Sequence, residues 1–304
     1  MQCNRRSFLG GLAAAGLVNS SSVTAADPPV RHGGSYLKLS LAGYSFRSLM
    51  VRRGTADEMA AAKMTIPTFI DYCAEQGLGA AELTGYYFPK EVTPEYLLAI
   101  RQQAHRLGIS ISGTAIGNDF CVADETAGKA QIADCLAWID YAALMGAPAI
   151  RIFAGKVPKG DYEEAARNRC VAAINQCLPY AAEKGVFLAL ENHGGITATP
   201  EQLLQIVKAV DSSPWFGVNF DSGNFRTADP YADLEKIAPY AVNAQIKASI
   251  HREDAHEKAD FERIISILRN AGYRGFVAFE YEEPEPPLEA VPQFLKQLRQ
   301  LTDA

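Results

Sequence analysis

Val186-Phe187-Leu188-Ala189-Leu190-Glu191 alternates between two faces. Side chains on a strand point to opposite sides with a period of two. Val186, Leu188 and Leu190 therefore form one greasy face. Phe187, Ala189 and Glu191 share the other, which turns acidic only at its C-terminal end. The pattern returns further along the chain. Phe216, Val218 and Phe220 oppose Gly217, Asn219 and Asp221; Ala244, Ile246 and Ala248 oppose Asn243, Gln245 and Lys247; Val277, Phe279 and Tyr281 oppose Ala278, Glu280 and Glu282. A strand that is apolar throughout on one face and polar at the C-terminal end of the other suits a barrel wall. One face meets surrounding helices, and the other looks inward toward the mouth where barrel enzymes carry their chemistry.

Working outward, eight β-rich runs are expected: 37–44, 80–83, 109–114, 149–154, 186–191, 217–221, 242–248 and 276–281. Between them the apolar residues fall at helical spacing, over 66–76, 94–107, 129–145, 162–183, 200–210, 231–238, 261–270 and 288–301. Thr65 with Pro67, Thr93 with Pro94 and Thr199 with Pro200 read as helix starts. Gly77, Gly108, Gly146, Gly185 and Gly272 read as helix ends placed just before the next strand. Eight strands each followed by a helix imply a parallel sheet closed on itself. The expected fold is α/β, a single (β/α)8 TIM barrel over 37–304. A doubly wound open sheet would show a Gly-rich phosphate turn after its first strand, and Gly43-Tyr44-Ser45 is not one.

The N-terminus reads as a separate part. Residues 1–26 hold Arg5 and Arg6, then an apolar run from Phe8 to Val18, then Val23-Thr24-Ala25-Ala26, with no Asp or Glu. That order describes a signal peptide, and the run is too short to span a bilayer. Asn4-Arg5-Arg6-Ser7-Phe8-Leu9 resembles a twin-arginine export signal, which implies the Tat translocase as a partner and a periplasmic or cell-envelope location. Residues 27–36 read as a short linker. Losing the two arginines lowers the net charge of −6 by two, to −8. An acidic protein without a basic run is a poor nucleic-acid binder. The six cysteines include no C-x-x-C pair. Cys3 falls in the signal, and Cys73, Cys121, Cys135, Cys170 and Cys177 read mainly as buried apolar residues.

Glu191, Asp221, Gln245 and Glu280 end four consecutive strands on the inward face. Three carboxylates at one mouth repel each other, so either protons neutralise them or a cation sits between them. Four oxygen ligands suit one divalent ion, with Mn2+ or Mg2+ favoured over Co2+ or Zn2+. The alternative is a rim of acids paired with Arg151, Lys247 and Arg226.

The motifs Leu190-Glu191-Asn192-His193-Gly194-Gly195, Asn219-Phe220-Asp221-Ser222-Gly223-Asn224 and Phe279-Glu280-Tyr281-Glu282 resemble those of the xylose-isomerase-like barrels, which include ketose 3-epimerases. The resemblance implies that Glu191 and Glu280 bind a metal and act as the acid/base pair, with Asp221 as a further ligand. The family's usual fourth ligand is a histidine, where this chain has Gln245. The implied chemistry is sugar isomerisation or epimerisation by proton transfer through a metal-stabilised enediolate. With a leaving group β to the carbanion, the same abstraction would make a lyase for 3-keto-glycosides.

His193, Asn224, Lys247 and His251 are candidate substrate-binding residues. Glu82 is expected in a rim salt bridge, Arg151 as a balance for interior charge, and Tyr86, Tyr87 and Phe88 as candidate walls of the sugar pocket. The expected partner is a small carbohydrate, and a homo-oligomer is compatible with the sequence. A three-zinc nuclease of related fold would need many histidines, and the chain has five. A non-catalytic sugar-binding barrel is the remaining rival, supported by Gln245.

Overall fold

The computed structural model describes residues 28–302; the expected signal at 1–26 lies outside them. Strands β1 (Tyr36–Ala42), β2 (Ala80–Thr84), β3 (Ser110–Ala115), β4 (Ala149–Ile152), β5 (Phe187–Glu191), β6 (Phe216–Asp221), β7 (Ala241–Lys247) and β8 (Arg274–Glu280) form a closed barrel in the order β1-β8-β7-β6-β5-β4-β3-β2. Every pairing around it is parallel, and β8 closes onto β1 with Leu39 opposite Val277. Helices α1 (Ile66–Glu75), α2 (Pro94–Arg106), α3 (Glu125–Met145), α4 (Glu163–Lys184), α5 (Pro200–Ala209), α6 (Pro230–Ile237), α7 (Phe261–Asn270) and α8 (Pro287–Thr302) follow the strands in turn. The expected single (β/α)8 barrel is the fold.

Local chemistry sets the helix ends. Thr65 and Thr199 cap α1 and α5 with reciprocal side-chain bonds to Thr68 and Gln202, and each helix carries proline in its first turn. Such a cap contributes about 1 kcal/mol. At the far ends of α3 and α4, Gly146 and Gly185 take left-handed conformations, φ 81° and 70°, so each chain turns at once into a strand. The helix-facing side chains of the wall, among them Leu188, Leu190, Val218, Phe220, Ile246, Val277 and Phe279, have no solvent exposure. This greasy shell is the main favourable term holding the helices to the barrel.

Several features depart from the expected elements: the strand expected over 149–154 ends at Ile152, and a short helix not expected forms over Ala56–Ala60. The strand expected over 37–44 ends at Ala42, where Gly43–Phe46 winds into a short 3-10 helix. Beyond β7 the chain forms an antiparallel hairpin, Ser249–Arg252 with Ala255–Lys258, to which Arg226–Thr227 adds a short parallel strand. The linker also has a defined place. Arg31 donates to the carbonyls of Pro239 and Ala241, and Ser35 Oγ to that of Tyr273 at 2.6 Å, tying it across the start of β7 and β8. Cys73, Cys121, Cys135, Cys170 and Cys177 are buried free thiols.

Candidate active site

The inward faces of the strands build the site in layers. Below the mouth, Ser40 of β1 and Ser112 of β3 share a hydrogen bond of 2.7 Å across the barrel. Above them lies an amide–carboxylate network. Glu82 of β2 accepts from Asn243 Nδ2 at 2.9 Å and from Gln245 Nε2 at 2.5 Å. Gln245 Oε1 accepts from Asn219 Nδ2 at 2.7 Å, and Asn219 Oδ1 accepts from Asn243 Nδ2 at 2.7 Å. Glu82 is therefore not part of a rim salt bridge. It is fully buried beneath the site, where burial raises its carboxyl against the two amide donors that favour its charge. An acceptor-only carboxylate fixes which end of the Gln245 amide faces it.

The next layer holds the acids. Glu191 Oε2 lies 2.8 Å from Arg151 Nε, and Glu191 Oε1 accepts from Asn224 Nδ2 at 2.8 Å. Asp221 Oδ1 accepts from the Gly223 amide at 2.8 Å, which shapes the loop after β6. Lys247 reaches into the middle. Its Nζ is 2.7 Å from Glu282 Oε2, 2.9 Å from Asn224 Oδ1, 3.3 Å from Asp221 Oδ2 and 3.4 Å from Glu280 Oε1. Arg151 and Lys247 thus balance the acids, as the rim alternative foresaw. Arg226 does not join them; it is exposed in the short added strand.

Burial sets the charge states. It pushes the Glu191 carboxyl up to about 7, against the pull of Arg151 and Lys247, and the Asp221 carboxyl up to about 7. Glu280 rises further, to about 8, because burial is compounded by Asp221 and Glu282 despite Lys247. Glu282 goes the other way: burial opposes its charge, but Lys247 outweighs that and holds it below the usual value. Lys247 stays protonated for the matching reason, with burial overcome by Asp221, Glu280 and Glu282.

A pocket of about 300 Å³ opens above these groups. Glu191, Glu280, Glu282, Arg151 and Lys247 lie at its polar side, and Tyr44, Tyr86 and Phe153 form aromatic walls. His193 belongs to the wall, its ring stacked on Phe153 with centroids 4.1 Å apart. Burial there, with the Arg151 and Lys247 charges, holds its imidazole below the ordinary range, at about 4. Asn224 is engaged at both ends, donating to Glu191 and accepting from Lys247, and is not among the residues that line the pocket. His251 is not among the lining residues. It sits in the hairpin, 5.1 Å from the ring of His256, with Nδ1 3.4 Å from the Gly223 carbonyl.

Five lining residues were not foreseen, Tyr44, Arg52, Gly117, Phe153 and Glu282, while the expected wall residues Tyr87 and Phe88 are buried and do not line the pocket. Tyr44 and Arg52 come from the loop after β1, with Arg52 stacked over Tyr86 at 4.9 Å. Glu282 lies two residues past Glu280, on the same face by the period of two that exposed the other acids, and that signal was present in the sequence.

As folded, these residues do not fit a four-oxygen shell for a divalent ion. The Gln245 carbonyl, the expected fourth donor, is spent on Asn219 one layer down. Glu191 is engaged by Arg151 and Asn224. Asp221 Oδ2 is buried without a hydrogen bond, but it faces the Lys247 ammonium. Among the described residues no three His, Cys, Asp or Glu side chains stand together as a metal-holding group.

Comparison with known proteins agrees with the fold. The chain is 24% identical to an uncharacterized protein of Methanocaldococcus jannaschii over 71% of its own length and 79% of that protein's. A crystal structure of D-psicose 3-epimerase, determined with D-fructose, superposes with a TM-score of 0.68 at 16% identity, covering 88% of this chain and all of that one (100%). A xylose isomerase-like barrel protein of Mycobacterium smegmatis in complex with magnesium superposes at 0.63 with 16% identity, covering 88% and 97%. At such identities the superpositions speak for the fold alone. The family model for xylose isomerase-like TIM barrels matches residues 70–298, and the chain belongs to that family.

Proposed function

We propose that this protein is an isomerase or epimerase of a small sugar or sugar derivative, acting by proton transfer through an enediolate. The observation that carries the reading is the pairing of Glu191 and Glu280 on one pocket, from non-adjacent strands, with cationic Arg151 and Lys247 beside them. Near neutral pH, Glu191 with its value near 7 is the group more readily ionised, and Glu280 near 8 the one more readily protonated. Glu191 takes the proton from the carbon beside the substrate carbonyl. The electron pair left behind delocalises onto oxygen, where Arg151 and Lys247 supply the stabilising charge. Glu280 returns a proton to the opposite face of the same carbon, or to the neighbouring carbon while the hydroxyl proton passes to the former carbonyl oxygen, and exchange with water resets both acids.

Tyr44, Tyr86 and Phe153 give the pocket the apolar walls that a sugar ring or chain packs against. The epimerase named among the structural neighbours supports the same reading. The twin-arginine-type segment supports a place of action outside the cytoplasm, reached through the Tat translocase, and so substrates that are not phosphorylated.

The test is hydrogen exchange. Ketoses and 3-keto-glycosides are incubated with the protein in D2O and followed by proton NMR. Deuterium should enter at the carbon beside the carbonyl of at least one substrate, and Glu191→Gln should abolish its entry. Release of an aglycone from a 3-keto-glycoside would move the reading to a lyase. The absence of exchange and release across the panel, with sugars still bound, would leave a sugar-binding barrel.

A further inference from the structure

We infer that Lys247 is the site's resident cation: its ammonium occupies the position at the barrel mouth where the family's divalent ion would sit, and the chain holds its acids together without a bound metal. The use made of that charge rests on the proton-transfer reading; the identity of the cation does not.

The first support is the surrounding of one nitrogen. Lys247 Nζ has oxygens of Glu282, Asn224, Asp221 and Glu280 within 3.4 Å, drawn from β6, β8 and the loops after them. These separations are those of ammonium hydrogen bonds and ion pairs. A divalent ion would need oxygens at about 2.0–2.6 Å and would need the ammonium gone, because two positive centres so close in a buried site repel strongly.

The second support is that the ammonium has no easy way out. Lys247 is only 8% exposed, and its backbone amide is fixed to Ser222 Oγ at 2.9 Å. Its stem lies against Gly223. A Cβ placed on Gly223 would stand 2.7 Å from Lys247 Cδ, 2.9 Å from Lys247 Cβ and 2.9 Å from the Ser249 carbonyl oxygen. The missing side chain at 223 is the groove in which the lysine stem runs.

The third support is the donor inventory. Gln245, on the same face two residues earlier, has its carbonyl bonded to Asn219 and turns its amide nitrogen to Glu82 and, at 3.5 Å, to Glu280, so strand β7 presents the acids with an ammonium and an amide donor. With Arg151 already against Glu191, the two buried cations divide the acids between them.

The experiment titrates Mn2+ into EDTA-treated, dialysed full-length protein while the EPR signal of free Mn2+ is read, with Lys247→Met beside it and Tm followed with and without Mn2+. The parent should leave the signal unquenched and its Tm unmoved. Lys247→Met keeps every carboxylate and loses the ammonium, so it should quench about one equivalent and gain Tm on Mn2+ addition. A parent that binds one equivalent of Mn2+, lost on Glu280→Gln, overturns the proposal whatever the variant does. A folded Lys247→Met that ignores Mn2+ overturns the placement of the ammonium at the ion's position. Should that variant not fold, the parent titration alone decides. Failure of deuterium exchange in a parent blind to Mn2+ strikes the proposed activity and leaves the cation assignment standing.

Discussion

Arg151 is held by one ion pair and two hydrogen bonds. Nε faces Glu191 at 2.8 Å, while the terminal nitrogens donate to the Ile116 carbonyl at 2.7 Å and to Tyr86 Oη at 3.0 Å. The guanidinium is thereby locked where it favours the ionised form of Glu191, which burial alone would suppress. Glu280 has the shared ammonium at 3.4 Å and a long hydrogen bond from Gln245 Nε2 at 3.5 Å, and sits higher. If Glu191 is the base and Glu280 the acid, deuterium exchange at saturating substrate should rise as pH passes about 7 and fall as it passes about 8. A pH profile checks this directly, and a rate that climbs steadily through pH 9 would contradict the assignment. Asn224 is a positioning residue in the same scheme, donating to Glu191 and accepting from Lys247. Asn224→Ala removes a donor to the ionised base, so the rising limb should move to higher pH and kcat should drop about 10–100-fold, with KM little changed. A variant that only loses stability would leave the limb in place. The alternation of the strands made Glu191, Asp221, Gln245 and Glu280 legible as inward residues, since direction follows from backbone position. The reach of Lys247 was not legible to the same degree. Its charged end lies four carbons from the backbone, and its position is decided by neighbours that the local pattern does not contain.

Among the elements, the eight strand–helix units were readable because a few signals recur among them: capped starts at Thr65 and Thr199, and glycines that turn the chain at Gly146 and Gly185. The hairpin 249–258 carries no such signal. Its strands are Ser-Ile-His-Arg and Ala-His-Glu-Lys, largely polar and solvent-facing, with Ile250 the buried apolar side chain among them. It is held instead by partners distant in sequence, Arg226 and Thr227 pairing with His251 and Arg252, and Ser249 Oγ donating to Glu283 Oε1 at 2.5 Å. The β6 loop and the hairpin meet at Gly223, where the Ser249 carbonyl and the Lys247 stem leave no room for a side chain. Gly223→Ala should therefore act on both elements at once, forcing apart the loop that carries Asn224 and the strand that carries Lys247. The expected loss is about 1–3 kcal/mol of stability, the range of overpacking a filled site, with exchange activity falling further than Tm alone explains. Urea unfolding at fixed pH measures the first. Gly34→Ala, at an open position with nothing within 4 Å of the added carbon, is the control and should leave both unchanged.

For the molecule as a whole, the cost of concentrating acids at the mouth should be visible in how stability depends on pH. Glu191 and Asp221 near 7 and Glu280 near 8 all lie above the ordinary carboxylate range, so the folded chain holds protons that the unfolded chain has already released. Wherever the folded state binds more protons, stability falls as pH rises. These groups therefore contribute their full stability below about pH 4, and it is lost as pH climbs through about 7 to 8. His193 works oppositely: its imidazole is held below the usual value, so its contribution is present above its unfolded range and lost on acidification. The lowered surface acids, such as Asp161 beside Arg169 and Glu201 beside Lys236, also act on the acid side. The two trends should leave a maximum in Tm at mildly acidic pH, about 5 to 6, with a decline toward pH 8. Glu280→Gln separates the mouth from the rest of the surface. The amide keeps the shape of the protonated acid and cannot ionise, so the variant should lose part of the decline and melt higher than the parent at pH 8. Near pH 5, where Glu280 is protonated in the fold, the two should melt close together. Calorimetry across pH 5 to 8 at fixed ionic strength reads both curves. A parent whose Tm rises over that interval, or a variant that melts lower than the parent at pH 8, would mean that Glu280 is already ionised and stabilised in the fold, and the assignment of Glu280 as the proton donor would fall with it.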